Sequence, residues 1–151
     1  MKHTTSLLIT LSIIYASIAF AGDVKVRAVM TTDPEDEPVT SFTADTPKLF
    51  AMFKTTGIKN GDRLRGVLIA EDVGDVAQAN TKVLEKTLTL EEDTDDGDFA
   101  FSKPTKGWPV GKYRVEIYVN DDLAKTVKFT IEAAKPDEES ESESRGDSSE
   151  E

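Results

Sequence analysis

Cysteine is absent from this chain of 151 residues, and histidine occurs once, at His3. Without thiols the fold carries no disulfide staple and no thiolate nucleophile, and acylation of a cysteine after a leader is ruled out. Once His3 is lost with the leader described below, the usual general base is missing too. So are the ligands of nearly all zinc, copper and non-haem iron sites. Serine is scarce outside the two ends: only Ser41 and Ser102 remain, and neither sits in a Ser-x-x-Lys or Gly-x-Ser-x-Gly motif. Paired carboxylates are the one catalytic chemistry left, because acids are plentiful. They fall mostly in predicted turns, however, and a chain this small has little room for a deep cleft. The expectation is a protein without catalytic residues.

Long apolar runs are also few. The start, Lys2-His3 and then Leu7 to Tyr15, leads to Ala19-Phe20-Ala21 before Gly22. A basic end, a short apolar centre and small residues at the cleavage positions describe an export signal, residues 1–21. Thr10, Ser12 and Ser17 interrupt the run, which falls short of the roughly 20 apolar residues of a membrane-spanning helix. The mature protein is therefore expected outside the cytoplasm, periplasmic or secreted, and free of the membrane.

Charge is strongly one-sided. The chain has 29 acidic against 18 basic residues; removing Lys2 leaves 17 basic, hence a mature net charge of −12. Nucleic acid and anionic membranes repel such a surface, so neither is expected as a partner. Half of that charge lies in residues 135–151, where Lys135-Pro136 runs into DEESESESRGDSSEE without one apolar residue. Nothing there can offset the entropy of ordering, so the segment reads as a disordered acidic Ser/Glu tail. Arg145-Gly146-Asp147 within it spells an integrin-binding tripeptide, a string short enough to arise by chance. The domain is then 22–134.

Inside it, alternation with period two predicts seven short strands separated by turns, the pattern of an antiparallel sandwich. Val24, Val26, Ala28 and Met30 form the first row, ending at 33-DPEDEP-38. Lys48 to Thr55 is apolar on both faces, as a central strand can be. Asn60-Gly61-Asp62 turns into Arg63 to Ala70; Val83 to Leu90 and Asp98 to Ser102 flank Asp96-Gly97, a dipeptide of tight hairpins. Tyr113, Val115, Ile117 and Val119 alternate with Lys112, Arg114 and Glu116, and Val127, Phe129 and Ile131 follow after Asn120-Asp121-Asp122. Within 74–80, a short helical turn is expected at Val76-Ala77-Gln78-Ala79.

The stretch 99-FAFSKPTKGWPVGKYRVEIYVNDDLAKTVKFTIE-132 resembles the last three strands of immunoglobulin- or fibronectin-III-like modules of exported bacterial proteins. The likeness rests on its Trp-Pro-x-Gly-x-Tyr-x-Val turn and closing Phe-x-Ile strand. It implies a seven-strand immunoglobulin-like sandwich and a role in adhesion, assembly or presentation, with a protein or envelope component as partner. The third strand departs from the pattern: Gly66-Val67-Leu68-Ile69 holds no core tryptophan.

Two candidate sites emerge. The segment 93-DTDDGD-98 approaches the opening of a calcium loop, making Asp93, Asp95, Asp96 and Asp98 candidate ligands. Its register fails, since Gly97 stands at the third ligand position and Thr105 at the closing one, which favours a solvated turn. Trp108, the only tryptophan, is either an exposed anchor for a partner or a sugar, or a plug at the end of the sandwich. Tyr113 occupies the position of a tyrosine corner, a structural role. The functional expectation is a non-catalytic exported interaction or structural module, with calcium or carbohydrate binding as the alternative. The leader reading makes a direct prediction: intact-mass analysis of protein from an export-competent host should give Gly22 as the first residue, and a secreted form that keeps Met1 or Lys2 would refute it.

Overall fold

Alternating side chains become two sheets. The computed structural model describes residues 24–91 and 96–134; the segments expected to be a leader and an acidic tail lie outside them. The strands are β1 (Lys25–Thr31), β2 (Ser41–Thr43), β3 (Lys48–Thr56), β4 (Arg63–Asp72), β5 (Thr81–Thr89), β6 (Asp96–Ser102), β7 (Gly111–Val119) and β8 (Asp122–Glu132). They pair as a three-stranded sheet, β1-β3-β6, and a five-stranded one, β2-β8-β7-β4-β5. The chain is an all-β, immunoglobulin-like sandwich, as the turn spacing predicts. The seven expected strands are present, and β2 adds an eighth. A 3-10 turn stands earlier than expected, at Gly74–Val76, and Ala77 is already extended.

β2 escapes a pattern search because it is three residues long and contributes one core side chain. It runs parallel to β8, and Phe42 meets the Phe129 ring edge-on at 5.4 Å. β3 shows why its sequence is apolar on both faces: it is central in the small sheet, with Leu49, Ala51 and Phe53 buried inward and Phe50 and Met52 half-buried outward. β4 is similar. Its inward row is Leu64, Gly66, Leu68 and Ala70, yet outward Val67 and Ile69 are also buried, flanked in register by Glu85 and Glu116 and by Lys82 and Arg114.

The Asp96-Gly97 hairpin does not form. Both residues lie within β6, opposite Lys54 and Phe53 of β3, while β5 pairs with β4 in the other sheet. A tertiary requirement outweighs the local turn preference. The Phe53 ring lies where a side chain at position 97 would be, with its Cζ 2.8 Å from an ideal Cβ. In a constant-type immunoglobulin domain the strand at the place of β5 closes the sheet of the first, second and fifth long strands. Here it has changed sheets.

Position 66 accounts for the missing tryptophan. An ideal Cβ on Gly66 would fall 2.7 Å from the Phe99 ring, so β6 supplies the aromatic mass that β4 lacks. Phe99 and Phe53 pack at 5.3 Å between centroids. The contact also shows that β6 lies over β4.

The two poles are tied separately. At one, Asn120 and Asp121 both take positive φ, as a two-residue type I′ hairpin requires. The Asn120 side chain accepts from the Arg63 N–H at 2.9 Å and donates to Asp62 at 2.7 Å, which holds the Asp62 carboxyl below its usual range. At the other pole the 44–47 turn, the 103–111 segment and the end of β8 meet.

The Gly66 contact predicts that Gly66→Ala costs about 1–3 kcal/mol, the range for an overpacked core. Phe99→Leu in the same chain should recover part of that loss, because the two positions share one space. Denaturant midpoints followed by circular dichroism would show it; a neutral Gly66→Ala would mean that β6 does not lean on β4.

Candidate functional site

Trp108 belongs to the interior. It is 2% exposed, its indole N–H donates to the Thr46 carbonyl at 2.9 Å, and its backbone N–H donates to the Ala44 carbonyl at 3.1 Å. The ring pins the 44–47 turn beneath the 104–110 segment, so the plug arrangement holds and an exposed anchor at this position does not. Tyr113 is 1% exposed, stacks on Phe129 at 5.6 Å and donates its hydroxyl to the Pro109 carbonyl at 2.6 Å. That is the bond of a tyrosine corner. Gly111 makes the approach feasible, since a Cβ there would lie 2.2 Å from the Asp72 carbonyl oxygen.

Of the four candidate calcium ligands, Asp93 and Asp95 lie outside the described residues. Asp96 and Asp98 are exposed on the outward face of β6, opposite Lys54 and Met52. A lysine already stands in register with Asp96. Among the described residues no three acids gather closely enough to hold a metal ion.

The largest polar constellation is one that sequence reading does not single out. It covers the outward face of β4, β7 and β8, around Arg114. Its guanidinium donates to Glu116 at 2.7 Å, Glu71 at 3.2 Å and Asn80 at 2.6 Å, and Lys128 reaches Glu71 at 3.2 Å. Tyr118 donates to the other Glu116 oxygen, and Arg65 lies 4.3 Å over the Tyr118 ring. Burial alone would push the Glu116 carboxyl up, but the bonds from Tyr118 and Arg114 prevail and hold it below its usual range. The bond to Glu116 in turn raises the Tyr118 hydroxyl. Both carboxylates are held by cations, and they share one arginine. The arrangement braces a sheet face; it does not set an acid and a base in opposed environments as proton transfer demands. Beside it lies a shallow hollow of about 560 Å³, with Ser41, Lys112, Lys128, Thr130 and Glu132 in its lining.

Sequence reading also missed the exposed leucines of β5. Leu84 and Leu88 are 36% and 39% exposed, yet register sets them opposite Leu68 and Leu64, which are fully buried in the core. They stand on the core-facing side of a strand that extends past its cover. The available signal was Lys86 between them, a charge in the middle of an inward apolar row.

Such a sandwich, with its switched fourth long strand and tyrosine corner, defines an immunoglobulin-like module. A solved structure agrees on the fold. An immunoglobulin-like protein of Pseudomonas aeruginosa superposes with a TM-score of 0.51 at 17% identity, over 74% of this chain and 93% of that one. An alkylpurine DNA glycosylase of Pseudomonas fluorescens, bound to DNA containing an abasic site analogue, aligns over 73% of this chain and 30% of its own. Its TM-score is 0.42 at 14% identity, too distant to bear on this chain. No known family profile and no curated protein matches the chain.

Burial pushes the Tyr113 hydroxyl up to about 12, against ~10 in an unfolded chain. The folded state thus holds this proton more tightly. Its contribution is complete below pH ~10 and is lost as pH rises towards 12. Tyr113→Phe should cost about 0.5–1.5 kcal/mol at neutral pH, the net worth of the Pro109 bond. It should also flatten the decline of stability between those pH values. Urea titrations across the alkaline range test both effects, and an unaltered slope would remove Tyr113 as the titrating group.

Proposed function

We propose that this chain is an exported, non-catalytic module that binds a protein or envelope component outside the cytoplasm. The supporting observation is the division of its surface. The charged face around Arg114 is satisfied internally, while Leu84 and Leu88 stay more than a third exposed on one strand, β5, besides the scattered Val29, Val76, Val110 and Leu123. Two leucines of one strand face, parted only by Lys86, favour a place of contact over the scattered apolar residues elsewhere. The leader pattern of residues 1–21 supports export, and the net-negative tail supports solubility in a crowded compartment.

Photo-cross-linking from surface positions of the full chain, on intact cells of an exporting host, tests this. A saturable adduct with one envelope or extracellular protein is the expected result. Absence of an adduct from every position, with a calcium-dependent rise in Tm of the purified protein, would replace this reading with cation binding.

A further inference from the structure

The two sheets are unequal in width, and the inequality falls on one flank. β6 lies over β4, as the Phe99 ring against the Gly66 backbone shows. Neighbouring strands in a sheet are ~4.8 Å apart and packed sheets ~10 Å. The next strand position in the small sheet, one step beyond β6, therefore lies over β5. No strand of the described residues occupies it, since the small sheet ends at β6. Beneath it β5 turns up Val83, Leu84, Lys86 and Leu88, the last three at alternate positions along the strand.

The two edges bordering this position differ. β5 is interrupted by a bulge where the register shifts between Leu68 and Ile69, an irregularity that discourages edge pairing. β6 pairs with β3 from Lys54↔Asp96 to Lys48↔Ser102 without a shift, and no backbone bond joins its other side to a described residue. It carries no proline or lysine within its span, and its two charges, Asp96 and Asp98, are confined to its starting end. A regular open edge beside an apolar floor suits an added strand.

We propose that this flank receives an extended segment of a partner protein, paired along β6, with apolar, acidic and apolar side chains at alternate positions over Leu84, Lys86 and Leu88. The inference rests on the interaction-module reading and gives it a place. Lys86 specifies the central acid, because an ammonium enclosed between two leucines needs a counter-charge once a strand covers it. The acidic tail of this chain lacks apolar residues altogether and cannot fill the flanking positions. A second copy pairing through its own β6 could offer only Gly97, Phe99 and Phe101 on that side, with no acid for Lys86 and both rings buried in their own core.

The probe is the synthetic peptide Thr-Ile-Thr-Asp-Thr-Ile-Thr, titrated into the full mature chain and followed by amide NMR shifts. Shifts confined to β5 and β6 are expected, with binding about tenfold weaker when the central residue is lysine, the effect of one opposed charge pair. Lys86→Glu, an exposed change that circular dichroism should show to leave the fold intact, should reverse that preference. Shifts elsewhere, no binding, or an unreversed preference would overturn the proposal. So would a dimer in sedimentation that Lys86→Glu disperses, since a second copy would then occupy the flank. If the cellular adduct persists undiminished in Lys86→Glu and Leu84→Ser chains, the flank is wrong while the module reading stands. Loss of both peptide binding and any cellular adduct removes both.

Discussion

Phe99 rests on bare backbone at Gly66, and that contact fixes how the two sheets are superposed. A side chain at position 66 would drive β6 sideways, and with it β3 and β1, which are bonded to β6 in series. The same pairing with Phe53 explains why Gly97 is drawn into a strand rather than a turn. The alignment of β6 over β4, and hence the uncovered face of β5, follows from where one glycine lets one ring sit.

Local periodicity reads side-chain direction well, because inward and outward positions differ in polarity wherever a strand is covered on one side. β7 is the clearest case: Tyr113, Val115, Ile117 and Val119 are buried, and the residues between them carry the charged face. Periodicity says nothing about which neighbour a strand takes. β5 was legible as a strand but not as a partner of β4, and Asp96-Gly97 has the composition of a hairpin without being one. β2 is too short to show a period. At the level of sites, the tyrosine corner was visible in the place of Tyr113 at the opening of its strand, though its acceptor, Pro109, was not. The Arg114 constellation joins residues as far apart in sequence as Glu71 and Lys128, so only the register could assemble it.

The two poles use different chemistry for the same task. Around Trp108 and Tyr113 aromatic volume is buried, and each polar atom of those rings is matched to a carbonyl. Around Asn120 the links are short, exposed and polar, joining the β7–β8 turn to the start of β4. Deleting a partner at the first pole leaves a buried group unsatisfied, whereas at the second water can replace it.

β1 begins at the Asn120 pole and β8 ends at the Trp108 pole, so the chain enters and leaves the sandwich at opposite ends. Tension applied through the two termini would run along the strands. The parallel pairing of Ser41, Phe42 and Thr43 with Thr130, Ile131 and Glu132 would then be sheared. Its hydrogen bonds would have to break together instead of one after another, with Phe42 lodged against Phe129 behind them. The shortest strand of the fold is thus placed, behind the pairing of β1 with β3, to resist stretching.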